Sequence, residues 1–195
     1  MKNKVVVGVA GMPGSGKATV VEVAKKMGCG IVVMGDEVRK ETKRRNLEPT
    51  PENVGKVMLK LRQEGGPAVV AKRCVPKIEK MKNKVVIIDG IRSIYEADEF
   101  KKRFSRFKLL AIHSSPETRF KRLFRRKRSD DPACWETFLE RDWRELHIGL
   151  GSVIASADVM IVNEGKRAEL KREVVKFLEN VTKSGRSKRA SKSGS

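Results

Sequence analysis

The sequence predicts an α/β fold of three layers, a five-stranded parallel sheet held between two layers of helices. Three observations carry the prediction. Short aliphatic runs at residues 5–10, 31–34, 84–89, 108–113 and 158–162 alternate with stretches of helical spacing, and strands covered on both faces read as such unbroken runs. A glycine-rich loop sits directly between the first run and the first helical stretch. Charged residues make up 35% of the chain and aromatic residues only 5%, so the core is aliphatic and the surface crowded with charge.

The first run leads into Gly-Met-Pro-Gly-Ser-Gly-Lys-Ala-Thr at residues 11–19. Glycines at 11, 14 and 16 let the backbone curl so that successive N–H groups converge on an anion, and the helix that follows adds its N-terminal partial charge. This is the pattern of a phosphate-binding P-loop. Gly11, Met12, Pro13, Gly14, Ser15, Gly16, Lys17, Ala18 and Thr19 form the expected cradle for ATP, with Lys17 reaching its outer phosphates. Ala18 stands where a hydroxyl on Mg²⁺ is usual, and the hydroxyl arrives one residue later, at Thr19.

The second run, 31–34, precedes a polar helix from about residue 36, and a further helix from about 53 to 62 carries Val54, Val57, Met58 and Leu61 on one face. Gly65-Gly66-Pro67 ends that helix and opens another, in which Pro76 is expected to make a kink. The third run ends in Asp89, beside the loop, a position from which a carboxylate orients Mg²⁺ through water. Ser93 and Glu96 form a capping box for the next helix. After the fourth run, Ser115 is an N-cap with Pro116 at the first helical position.

In residues 119–128, Phe120, Leu123 and Phe124 are spaced to pack inward, with Arg119, Arg122 and Arg126 on a neighbouring face. Phosphoryl transfer needs cations around oxygens that gather charge, and arginine supplies them without losing its proton. Arg122 and Arg128 are the candidates. The same arginines also fit a solvated basic helix or a nucleic-acid patch. The fifth run is followed by Asn163 and by a helix from about 166 to 181. Residues 1–182 thus form one domain with a short helical lid at about 119–146. Residues 183–195 contain only Lys, Arg, Ser, Gly and Ala, a composition expected to stay disordered.

Several segments resemble known nucleotide kinases. Met34-Gly35-Asp36 with Arg39 resembles the acceptor-contacting segment of adenylate kinases, and Asp89-Gly90-Ile91-Arg92 is similar to their Asp-Gly-Phe-Pro-Arg, shortened by one residue. Arg128-Ser129-Asp130-Asp131, with Arg141 further on, resembles their lid. Residues 28–33 and 157–163 look as much like dephospho-coenzyme A kinases. Gly-Met-Pro-Gly-Ser-Gly-Lys, Asp-Gly-Ile-Arg-Ser and Ser-Asp-Asp-Pro together resemble an archaeal group of adenylate kinase-related proteins, the UPF0200 type. The resemblance implies a P-loop NTPase fold and transfer of the γ-phosphoryl of ATP, with Mg²⁺, to a nucleoside monophosphate or to dephospho-coenzyme A. Arg39, Arg92 and Arg141 would bind that small acceptor, and Asn163 would lie near the adenine of ATP. An acceptor phosphate needs no base, whereas a sugar hydroxyl would use Asp36.

A net charge of +20 supports a second reading, an ATP-dependent RNA- or ribosome-associated factor that uses nucleotide as a switch. No RNA-binding module or aromatic platform accompanies that charge. Cys29, Cys74 and Cys134 lie far apart without metal-like spacing, so neither disulfides nor a metal centre is expected. No stretch approaches the roughly 18 apolar residues of a membrane span, and a cytoplasmic location is expected.

Overall fold

The structure, a computed structural model, describes residues 4–128 and 131–183. Its sheet has the order β2-β3-β1-β4-β5, every neighbouring pair parallel. Strand β1 (Val5–Ala10) is central and buried throughout. β3 (Val85–Asp89) and β4 (Phe107–His113) flank it, and β2 (Gly30–Val33) and β5 (Val159–Val162) form the edges. Helix α1 (Lys17–Lys26) follows β1, and α2 (Met34–Arg44) starts on the residue after β2. α3 (Pro51–Gly65) and α4 (Val69–Lys80) lead to β3, and α5 (Ile94–Arg103) connects β3 to β4. α6 (Pro116–Arg126), α7 (Trp135–Ile148) and the short α8 (Leu150–Ala155) precede β5, and α9 (Arg167–Lys183) follows it.

Alternation along the strands sorts side chains into two cores. Val5, Val7 and Val9 meet Val20 and Val23 of α1 and Leu170, Val174 and Phe177 of α9. Val6 and Ala10 face the opposite layer, built by Leu61, Val70, Ile78, Phe100 and Val153 from α3, α4, α5 and α8. Each fully buried aliphatic side chain contributes about 1.5–3 kcal/mol, so this two-sided burial dominates stability. Gly8 leaves the room that the Phe107 ring fills; a Cβ there would stand 2.8 Å from Phe107 Cζ.

Strand register positions the candidate chemistry. Asp89 lies opposite both Val9 and Val33, which sets its carboxylate at the carboxyl edge of the sheet beside the loop after β1. Ligands of open α/β sheets bind at that edge.

Some local expectations need correction. β5 is not covered on both faces: Ile161 is buried, but Val159, Met160 and Val162 are exposed, because an edge strand is packed along one flank only. Phe124 is half exposed, while Leu123 is buried and Phe120 joins Trp135 and Phe138 in an aromatic cluster with ring centroids 5.3 and 5.6 Å away. Arg119 does not share a solvent face with Arg126; it is 3% exposed, since an acidic partner on α7 takes its charge inside. The capping box at Ser93 is half formed. Ser93 Oγ accepts from the Glu96 N–H, but the Glu96 carboxylate turns to the Arg92 N–H and to Arg62. Pro76 lies within α4, which continues to Lys80 as one helix. The basic tail expected at 183–195 lies, beyond Lys183, outside the described residues, as do Ser129 and Asp130.

Candidate nucleotide and phosphoryl-transfer site

Gly14 and Gly16 have φ of 82° and 114°, the left-handed region in which a side chain is strained. Space excludes a side chain as well. A Cβ at Gly14 would lie 2.9 Å from the Arg119 carbonyl oxygen, and one at Gly16 would lie 2.6 Å from Asn163 Nδ2. α1 begins directly after Gly16 with no side chain capping it, so its first N–H groups are left for an anion. Lys17 is half-buried, and its Nζ donates to the carbonyls of Gly11 at 2.5 Å and Met12 at 3.1 Å. Loss of solvent pulls its pKa from 10.5 down to about 8, opposed by Asp89 and Glu145 and assisted by Arg92 and Arg141. A phosphate in the loop would return the charge that burial disfavours.

The loop opens into a cavity of about 700 Å³, within the range of small-molecule sites. Gly11, Pro13, Gly14, Gly16, Lys17 and Ala18 line one end, and Arg39, Asp89, Arg92, Arg122, Arg128 and Arg141 also reach it. Thr19 is buried and does not line the cavity. Asp89 is half-buried. Burial pushes its carboxyl above the ordinary range against the pull of Lys17 and Arg92, and its Oδ1 has no hydrogen-bond partner among the described residues. Such an orphaned oxygen fits a hydrated cation, since it needs a donor and metal-bound water is one.

Two expected residues take other places. Asp36 is exposed, lies 2.5 Å from Arg39 Nη2 and does not line the cavity, although Gly35 and Arg39 do. Asn163 turns its amide away from the cavity and donates to the Ser15 carbonyl at 2.7 Å, so it shapes the loop from below. Ser114 completes that floor: its hydroxyl donates to the Asn163 carbonyl at 2.5 Å and accepts from Arg122 Nη1 at 2.9 Å.

The α6–α7 region is tied to the loop through Arg119. Its Nε donates to the Ser114 carbonyl at 3.1 Å and Nη1 to the Pro13 carbonyl at 3.3 Å. The guanidinium also pairs bidentately with Asp142 of α7 and lies 5.0 Å from the centroid of the Phe138 ring. Asp131 gathers the other end of this region, accepting from Arg126 Nε and the Arg128 N–H at 2.9 Å each, with Arg141 Nη1 at 3.9 Å. Arg126 holds the Asp131 carboxyl below its ordinary range.

The likeness to known proteins agrees with this geometry. The UPF0200 protein of Thermococcus onnurineus is 49% identical over 177 residues, which cover 89% of this chain and 96% of the relative. That of Methanocaldococcus jannaschii is 53% identical over 160 residues, 81% of each chain. The chain belongs to the UPF0200 family. A family described as AAA domain matches residues 10–138. Shikimate kinase from Bacteroides thetaiotaomicron superposes with a TM-score of 0.62 at 16% identity, over 90% of this chain and 98% of that enzyme, a likeness of fold. This UPF0200 member therefore has the three-layer α/β/α architecture of P-loop NTPases of kinase type. Among its described residues no helix is long and apolar enough to cross a membrane.

Sequence reasoning missed Arg62, Glu96 and Glu145, which all line the cavity. Arg62 and Glu96 pair at 2.9 Å, and Arg92 Nη1 lies 3.3 Å from Glu145 Oε1. Ser93-x-x-Glu96 signalled a helix start and nothing more. Glu145 sits four residues after Arg141, one helical turn on the same face, and that spacing was the available clue.

Proposed function

We propose that the protein is an ATP-dependent kinase that passes the γ-phosphoryl group to a small nucleotide-like acceptor. The observation that carries the reading is the convergence, in one cavity, of Lys17 on its glycine loop, the partnerless carboxylate oxygen of Asp89, and arginines from α6 and α7. A catalyst of phosphoryl transfer needs little more than positioning and opposite charge around the moving group.

In this reading residues 1–182 act as one domain and 119–146 as its lid. The amides of residues 11–19 cradle the phosphates of ATP while Lys17 leaves the Gly11 and Met12 carbonyls for the outer oxygens. Magnesium, when bound, neutralises charge on those phosphates, and Asp89 holds it through water. Arg122 and Arg128 meet the charge that builds on the transferring group, with Arg141 beside them. Arg39, oriented by Asp36, and Arg92 face the acceptor. Asn163 serves the nucleotide by fixing the backbone of the loop.

The test is transfer from γ-labelled ATP and Mg²⁺ into a panel of small acceptors, with Lys17→Ala alongside. Label in one acceptor, lost in the variant, is the expected result. Unchanged turnover by a folded Lys17→Ala protein would sink the mechanism, and release of free phosphate alone, stimulated by RNA, would favour a nucleotide switch instead.

A further inference from the structure

Lys17 and Arg122 are balanced differently from the arginines deeper in the cavity. At the loop end Lys17 is held by carbonyl oxygens, and Arg122 by the Ser114 hydroxyl and the Gly165 carbonyl; neither has a carboxylate at ion-pair distance among the described residues. Cations hydrogen-bonded to dipoles, with carboxylates only at a distance, suit a polyphosphate. At the far end each guanidinium has its own carboxylate. Arg39 Nη2 lies 2.5 Å from Asp36 Oδ1 and Arg62 Nη2 lies 2.9 Å from Glu96 Oε1; Arg92, whose Nη1 lies 3.3 Å from Glu145 Oε1, stands between the ends, since it and Glu145 both act on the charge of Lys17. Val38, Val54, Met58, Val70 and Leu150 make the wall around these pairs.

A second phosphate entering that end would meet charge already neutralised. To gain an arginine it would have to break an existing pair and leave a carboxylate, with side chains as little as 2% and 14% exposed at Glu96 and Glu145, next to its own negative charge. Leaving a half-buried charge unpaired is costly. An alcohol with an apolar body incurs neither cost, and it brings a proton for which a receiver is present. Glu145 Oε2 is buried with no hydrogen-bond partner among the described residues, and Glu145 lies near enough to Lys17 to favour the charged form of that lysine. Asp36, the base suggested by sequence, is outside the cavity wall.

We propose that the acceptor is an uncharged, hydroxyl-bearing molecule of about nucleoside size, and that Glu145 takes the proton of the reacting hydroxyl. This inference rests on the kinase reading and replaces its nucleotide-like acceptor with an uncharged one. In the transfer an oxygen–phosphorus bond forms between the acceptor hydroxyl and the γ-phosphorus, and the bond from that phosphorus to the β,γ-bridging oxygen breaks. ADP leaves with the electron pair, and the hydroxyl proton passes to the Glu145 carboxylate. Arg92 keeps its contact with Glu145 Oε1 while Oε2 takes the proton.

The test compares molecules that share one body. Adenosine, AMP and inorganic phosphate are titrated at low salt into protein saturated with Mg²⁺ and a non-hydrolysable ATP analogue, for wild type and Glu145→Gln. Wild type is expected to bind adenosine at least as tightly as AMP and to take up no inorganic phosphate. Glu145→Gln is expected to uncover Arg92 and to raise AMP affinity about tenfold. In transfer assays the same variant should lower kcat about a hundredfold or more while KM for ATP holds. AMP binding about tenfold tighter than adenosine in wild type, uptake of inorganic phosphate beside the analogue, or an unchanged preference in Glu145→Gln would overturn the proposal and leave the kinase reading standing. Failure of the ATP analogue to bind in the first titration would defeat the kinase reading itself.

Discussion

Replacing Asp142 with asparagine removes one charge from the most enclosed ion pair beside the loop. The Arg119 and Asp142 side chains are only 4% and 10% exposed. Two guanidinium nitrogens meet the two carboxylate oxygens, one pair at 2.8 Å. The amide that replaces the carboxylate would offer one oxygen and turn an NH₂ group against the second donor, leaving Arg119 charged and undersatisfied. Breaking one side of a buried pair costs about 3–5 kcal/mol. In a domain of this size each kcal/mol moves the melting temperature by about 2–4 °C, so a drop of about 10 °C is expected. Replacing both partners, Arg119→Met with Asp142→Leu, should recover only part of that loss: apolar pairs of similar volume substitute for buried ions, but the Ser114 and Pro13 carbonyls lose the donors that Arg119 gave them. Urea unfolding followed by tryptophan fluorescence reads this directly, since Trp135 stacks 5.0 Å from Phe138, the ring beside Arg119. A loss below about 1 kcal/mol for Asp142→Asn would refute the claim that the pair is buried and structural.

Three further outcomes are expected. Lys17 has a folded pKa of about 8 against an ordinary 10.5, so between those values the unfolded chain holds more protons and wild-type stability rises with pH; it falls again as pH drops through 8. Lys17→Met should flatten that rise in denaturant titrations at pH 7, 9 and 10, and a slope that survives would show that another group causes it. Glu41, buried on α2, accepts from Arg44, Arg45 and Arg73, and these arginines, Arg44 first, hold its carboxyl well below the usual range. Glu41→Gln should cost about 2 kcal/mol or more at neutral pH and remove part of the acid loss of stability that wild type shows as pH falls below the carboxylate range; equal acid sensitivity in both proteins would exclude the role. Among the cysteines, exposed Cys134 should alkylate quickly in the native state, while Cys74, buried and pushed up to about 12, should react only on unfolding; mass mapping of labelled peptides separates the two.

The fold was largely legible in sequence because its signals are local. Glycine spacing before Lys17, aliphatic runs of strand length, and the N-caps at Ser93 and Ser115 each act within a few residues. The cavity was legible only where a motif carried it. Arg119 looked like one more cation on a basic helix, since nothing near it in sequence announces Asp142, 23 residues away on another helix. Glu96 read as a cap, because a capping glutamate and a glutamate that turns inward to an arginine from α3 have the same local sequence. The exposure of β5 escaped for a different reason. Val-Met-Ile-Val has the composition of a buried strand, and only the order of strands in the sheet reveals that it is an edge.

The floor beneath the glycine loop is assembled from Ser114 and Asn163, which lie 99 and 148 residues downstream of Ser15. During synthesis the loop sequence therefore leaves the ribosome long before the parts that shape it. A nascent chain halted before β5 carries every residue of the loop yet lacks the amide that fixes the Ser15 carbonyl, so the capacity to grip a nucleotide arrives late, with the last strand. Nucleotide present in the cell would then stabilise finished chains and leave unfinished ones without that protection.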